Sequence, residues 1–184
     1  MSLAEQLDAY AAYHGDTRNK ITHFFGVPLV TFSIFLFLGW FRLKGYENDT
    51  FASGATLFYL IVFLFYLWLD WKVALCQLPF SLALLWLADW EARRPYPESI
   101  TVFLATFVGG WIIQLVGHAF EGKRPALADN LTQIFNAPLF LNVEVAFLLG
   151  LRQDLRAAVK LMHAPASPTV AVNGAPEIKT PVQA

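Results

Sequence analysis

Three of the four histidines in this chain stand among other polar and ionisable residues. The first group reads Tyr10-Ala11-Ala12-Tyr13-His14-Gly15-Asp16-Thr17-Arg18-Asn19-Lys20-Ile21-Thr22-His23. His14 and His23 are nine residues apart, which on one continuous helix leaves them about half a turn out of phase. They can share a metal only if the helix breaks between them. Gly15 suits a helix C′ position and Asp16 suits the N-cap of a following helix, so the sequence predicts that break. Within each half, Tyr10 with His14 and Asn19 with His23 are i,i+4 pairs that face together. The second group is Gln114-Leu115-Val116-Gly117-His118-Ala119-Phe120-Glu121-Gly122-Lys123-Arg124. Gln114, His118 and Glu121 follow one helical face, where a ring nitrogen and a carboxylate can reach the same ion. Gly117 would let a second helix approach closely. Lys123 and Arg124 either mark the membrane edge or hold a substrate carboxylate. Imidazole suits zinc, iron, copper or nickel, and a carboxylate with open positions favours non-haem Fe(II) and O2 chemistry. A structural alternative stands beside this reading: interfacial histidines that sit among headgroups, and a His–Glu pair that fixes helix packing. His163 is given no role.

Something must bring these groups together across about a hundred residues of chain, and the composition says what. Of 184 residues, 57% are apolar and only 15% charged, against about 25% charged in soluble domains. One soluble core of this size cannot hide so much apolar surface. A formal net charge of -1 offers no basic field for nucleic acid. Cys76, alone, excludes a disulfide framework and cysteine-based metal sites. The apolar residues fall into four runs without a single charge, residues 24–41, 51–69, 73–88 and 99–117. About 20 such residues cross a hydrocarbon core of about 30 Å. Trp40, Trp68, Trp71, Trp86 and Trp90 lie at run ends, as interfacial indoles do, whereas Trp111 lies mid-run.

The expected fold is all-α: a polytopic membrane bundle of about four transmembrane helices behind an N-terminal amphipathic helix. Asp70-Trp71-Lys72 should join the second and third runs as a tight helical hairpin. A fifth apolar stretch, 134–149, carries Pro138 and Glu144 and is open between a re-entrant, an interfacial and a fifth crossing helix. Residues 1–163 form one integral-membrane domain, and the proline-rich 164–184 reads as a disordered tail.

With four crossings, the start of the first and the end of the fourth share one face of the membrane. The count alone then brings His14, His23 and His118 to one side. If the chain does not cross again, that side carries Arg18, Lys20, Lys72, Lys123, Arg124, Arg152, Arg156 and Lys160 against Arg42, Lys44, Arg93 and Arg94 opposite. By the positive-inside rule the histidine side is then cytoplasmic, in the inner membrane of a bacterium or the endoplasmic reticulum of a eukaryote.

The pattern Tyr13-His14, Asn19, His23-Phe24-Phe25-Gly26-Val27-Pro28, followed by Gln114, Gly117-His118, Phe120-Glu121, Arg124-Pro125-Ala126-Leu127 and Ala137-Pro138, resembles the Mpo1-like family over about residues 5–150. That family's characterised member is a 2-hydroxy fatty acid dioxygenase. The resemblance implies Fe(II)-dependent α-oxidation, in which a 2-hydroxy fatty acid and O2 give a fatty acid one carbon shorter and CO2, within sphingoid-base degradation. It also implies that His14, His23 and His118 hold the iron. Beside them, Glu121 is expected as a further ligand or ligand partner. Gln114 and Asn19 should orient ligands or substrate, with Tyr10, Tyr13, Lys123 and Arg124 around the substrate. Two other readings remain: a haem held between two axial histidines, and a non-enzymatic scaffold or carrier whose polar clusters tie helices together. Oligomeric state is not legible.

Overall fold

The charge-free runs become long helices in the computed structural model, which describes residues 3–11, 13–46, 49, 51–123, 125 and 133–162. Arg124, Ala126, Leu127, His163 and the 164–184 tail lie outside the described residues. The elements are α1 (Leu3–Ala11), α2 (Thr17–Gly39), α3 (Gly54–Ala92), α4 (Tyr96–Glu121), α5 (Gln133–Leu148) and α6 (Gln153–Met162). The described residues form no β-strand; Arg42 and Ser53 make one isolated bridge. By length and composition, α2, α3 and α4 can each cross a membrane. Their outer faces suit one, with Phe25, Leu57, Ile61, Leu64 and Trp68 all more than half exposed.

The 39 residues of α3 would run about 58 Å as a straight helix, nearly twice a hydrocarbon core. Asp70 prevents this. Its backbone is extended (φ -160°, ψ 106°), and its Oδ1 accepts the N–H groups of Lys72 and Val73 at 3.0 and 3.1 Å, capping the second arm. The reversal shows in what meets across the arms. The Tyr59 hydroxyl lies 3.0 Å from Ser81 Oγ although 22 residues separate them, and Ala55, Leu85 and Ala88 share one core cluster. The hairpin read at Asp70-Trp71-Lys72 is therefore present. Arg152 clamps its tip, both guanidinium nitrogens lying 2.8 Å from the Asp70 carboxylate oxygens.

The fifth apolar stretch forms, with the helix after it, a bent pair of the kind made by a broken span or a re-entrant segment. The chain leaves α4 at the histidine end, yet Phe135 near the start of α5 lies deep in the bundle. Its carbonyl accepts the Tyr66 hydroxyl at 2.6 Å, and its ring is 6.2 Å from that of Phe58. From there α5 climbs back: the Phe140 ring is 4.5 Å from Tyr10, Glu144 pairs with Lys20 at 2.7 Å, and Arg152 reaches Asp70. Pro138 and Glu144 suit a helix that returns instead of crossing. After a bend of 114°, α6 lies across the histidine end, where Leu155 packs in one cluster with Leu3 and Leu7 of α1.

Helices α2 and α4 meet closely because three glycines let them. A Cβ on Gly26 would stand 2.9 Å from the Gly110 carbonyl oxygen, and one on Gly110 2.9 Å from Val30 Cγ2. A Cβ on Gly117 would overlap Thr22 Oγ1 at 2.0 Å. No side chain fits at these positions, so the two backbones approach as small-residue membrane interfaces do.

Candidate metal centre

The centre starts with the break between α1 and α2. The first helix ends at Ala11, earlier than a Gly15 C′ position requires. Gly15 serves the site differently: a Cβ there would come 3.3 Å from Glu121 Oε1. Asp16 caps α2 as expected, its side chain accepting from the Arg18 N–H at 2.8 Å. The loop between the helices carries His14 inward, one turn from His23, and the glycine contact of α2 with α4 brings His118 to both.

The three imidazoles are buried, at 2, 3 and 6% exposure for His14, His23 and His118, and each offers a ring nitrogen within 4.8 Å of the others. Their hydrogen bonds determine which nitrogens are available. His14 Nδ1 lies 2.9 Å from the Tyr10 carbonyl oxygen, and His23 Nδ1 lies 2.9 Å from that of Asn19. A carbonyl only accepts, so both Nδ1 atoms carry the proton and both Nε2 atoms bear a lone pair. Those two Nε2 atoms face each other at 3.2 Å, where no hydrogen bond is available to them. His118 Nδ1 is likewise buried without a hydrogen-bond partner. Lone pairs converging in a dry site are unfavourable unless a cation sits among them. Two nitrogens each about 2.1 Å from one ion, at angles between octahedral and tetrahedral, lie about 3.0–3.4 Å apart. The observed spacing fits. Burial lowers the His14 imidazole to about 3, and the nearby His23 and His118 add to the effect, so it remains a neutral donor.

Around this group the other expected site residues take separate places. Tyr10 stacks on His14, with ring centroids 4.0 Å apart and planes 3° from parallel, while Phe140 flanks it. Gln114 and Trp111, the tryptophan lying mid-run, line the chamber in front of the histidines. Tyr13 and Asn19 hold the loop: the Asn19 amide donates to the Tyr13 carbonyl at 3.1 Å. Glu121 stands apart from the histidine group. Its Oε1 accepts the Gly15 N–H at 3.0 Å and its Oε2 the Asp16 N–H at 2.7 Å, so a carboxylate pins the loop that carries His14. Lys123 is half exposed, 3.8 Å from Glu121 Oε1, and is not part of the chamber lining. Sequence reasoning missed Phe140, the Lys20–Glu144 pair and the chamber walls Ile134 and Pro138. Glu144, a lone carboxylate in an apolar stretch, was the signal that called for a cation opposite.

The chamber holds about 60 Å³ and its lining is mostly apolar beyond the histidines. The donor set is all nitrogen, and the three histidines line the chamber. Such a set suits a small first-row ion that must still bind a substrate.

The family described as 2-hydroxy-palmitic acid dioxygenase Mpo1-like matches residues 1–149. The 2-hydroxy-palmitic acid dioxygenase MPO1 of Saccharomyces cerevisiae is 32% identical over 163 residues, covering 87% of this chain and 88% of that protein. No solved structure matches the chain. With the three histidines of the quoted pattern gathered at one buried point, and with both the family and this relative matched over most of its length, the chain belongs to the Mpo1-like family of dioxygenases.

Proposed function

We propose that the protein is an Fe(II)-dependent dioxygenase of fatty-acid α-oxidation. In the balanced reaction RCH(OH)COOH and O2 give RCOOH, CO2 and H2O. Four electrons leave the two substrate carbons and O2 accepts all four, so no further reductant enters. The observation that carries this reading is the meeting of two fixed Nε2 lone pairs, with a ring nitrogen of His118 within 4.8 Å of them, beside an apolar chamber. The name of the yeast relative supplies the substrate class, a long-chain 2-hydroxy acid.

When bound, iron would supply the one-electron chemistry that lets O2 react with a closed-shell acid. The chain supplies the rest. His14, His23 and His118 would hold the ion. The Tyr10 and Asn19 carbonyls fix the tautomers of the first two, and Glu121 fixes the loop that brings His14 in. Gln114 presents an amide to the polar end of the acid, and Lys123 with Arg124 attracts its carboxylate at the membrane edge. Trp111, Val27 and Pro138 exclude water around the reacting carbons. The two axial nitrogens of a haem would stand about 4 Å apart on opposite faces of the iron. Here they are 3.2 Å apart with no room for a macrocycle between them. The pair of Arg152 with Asp70 supports a path in which α5 does not cross; Arg152 and Arg156 then join Arg18, Lys20 and Lys72 at the histidine end, which the positive-inside rule assigns to the cytoplasm.

The test is turnover of 2-hydroxypalmitate by detergent-purified protein, with and without Fe(II), under air and under argon. Formation of the acid one carbon shorter only with iron and oxygen together is expected. No product under any condition, with no metal retained after loading, would return the histidines to a packing role.

A further inference from the structure

A second cavity lies deeper in the bundle, between α2, the α3 hairpin and the buried end of α5. Its volume is about 300 Å³ against about 60 Å³ for the chamber at the histidines. The two share Thr31, Ile34, Ile134 and Pro138 as lining, so they adjoin across these four side chains, which form the waist between them. Beyond the waist the walls are Phe35, Phe58, Tyr59, Val62, Tyr66 and Phe135. Most of the polar atoms there are occupied within the protein. Tyr59 and Ser81 share a hydrogen bond, and the Tyr66 hydroxyl donates to the Phe135 carbonyl. Gln77 Oε1 is the exception, a buried acceptor without a partner.

Resting on the dioxygenase reading, we propose that this cavity is the acyl-chain channel of the substrate and that its far wall limits chain length. Three observations argue for a hydrocarbon chain as occupant. The space adjoins the metal chamber across four shared side chains, so a chain whose polar end is at the histidines meets it next on its way into the bundle. The lining is overwhelmingly apolar, as a site for an alkyl group must be. The depth also matches. Phe35 lies 12 residues beyond His23 on α2, about 18 Å along the helix, close to the ~15 Å that one leaflet's chains occupy in a 30 Å core. Helix α5 gives a reason for its own shape here: Ile134, Phe135 and Pro138 close the channel off from lipid on one side, which a crossing helix packed outside the bundle would not do.

The channel is tested on the full chain with 2-hydroxy acids of eight to eighteen carbons, together with photocrosslinking by a palmitate that carries a diazirine at its methyl end. Val62→Phe, which lies beyond the waist and touches no histidine, should lower kcat/KM for the sixteen-carbon acid at least tenfold. The eight-carbon acid should change less than twofold, and bound iron should stay the same. Loss of one methylene's worth of space in an apolar pocket already discriminates by about tenfold or more. Gln77→Leu, which replaces the unpartnered acceptor with hydrocarbon, should raise kcat/KM for long chains severalfold. Crosslinks should fall on Phe58, Val62 or Phe135. Equal effects of Val62→Phe on short and long acids, or crosslinks confined to lipid-facing residues such as Ile61 and Trp68, would overturn the channel. So would a loss with Gln77→Leu, because the cavity would then take a hydroxyl-bearing group. If the wild type turns over no 2-hydroxy acid while crosslinks still fall inside the cavity, the channel stands and the assigned reaction fails.

Discussion

The two ends of the bundle bury polar groups in opposite ways. At the end away from the histidines, Asp89 is completely buried, but Arg42 lies 2.6 Å from its Oδ1 and Arg93 3.0 Å from its Oδ2. The Trp40 indole N–H donates to Ser99 nearby at 2.8 Å. Asp89 is answered by two guanidinium groups, and the cluster ties the loop after α2 to the hairpin. At the histidine end the backbone fixes two rings so that their lone pairs face each other at 3.2 Å, and His118 Nδ1 has no partner. The charges of this far-end cluster are paired within the chain, whereas the facing lone pairs of His14 and His23 are not. Burial alone therefore does not separate structural from functional polar residues in this molecule.

The widest separation between the two ends should come from deleting one group in each. His23→Ala is expected to lower turnover by more than a thousandfold and to leave the metal-free protein at least as stable as the wild type, since it removes a lone-pair confrontation. Thermal unfolding of the metal-free forms reads this, and a large loss of stability would place His23 with the structural groups. Asp89→Ala should do the reverse. Leaving Arg42 and Arg93 without their carboxylate costs about 3–5 kcal/mol as a broken buried pair, while turnover per folded molecule stays within twofold. Activity lost in proportion to iron in that variant would show the two ends to be coupled.

A smaller effect should follow from Glu121→Gln. The two loop N–H groups sit on separate carboxylate oxygens and an amide keeps only one of these, turning the other into a donor, so the His14 loop loosens, and iron affinity should fall about 10–100-fold, as when a ligand's supporting partner is lost. Excess Fe(II) should restore turnover. Failure of that rescue, with iron bound normally, would give Glu121 a direct part in the chemistry. The mildest test is pH. His14 in the folded protein sits at about 3, below its unfolded value of 6.5. Its contribution to stability is therefore complete above pH 6.5 and is lost as pH falls from there towards 3. The metal-free protein should lose about 1.4 kcal/mol per pH unit from this one proton. His14→Phe, which keeps the stack on Tyr10, should flatten that slope.

Parity made the histidine end legible from the sequence. Charge-free runs of membrane length can be counted, and the count places His14, His23 and His118 on one side without any knowledge of packing. The helix break was legible too, because Asp16 has the chemistry of an N-cap. Other features were not. Glu121 stands three residues after His118, which reads as a shared ligand face. The loop N–H groups that hold its carboxylate belong to residues 15 and 16, over a hundred positions away. Gly117 signalled a close approach, but its partners at Thr22 and Asn19, and the matching contact of Gly26 with Gly110, depend on helix register. The path of α5 was open because Pro138 and Glu144 are compatible with several depths. Contacts of Phe135 with Phe58 and of Glu144 with Lys20 decide it, and each joins segments distant in sequence. The deep cavity has no sequence signal, since its walls are the same aliphatic and aromatic residues that face lipid elsewhere.

The difference between the two ends requires that the histidine end hold an ion. The most direct measurement is iron per chain after anaerobic loading with Fe(II) and desalting, for the wild type and for His14→Ala, His23→Ala and His118→Ala. One equivalent in the wild type and less than a tenth of that in each variant is the expected result. A wild type that retains no iron, or variants that retain as much as the wild type does, would contradict it.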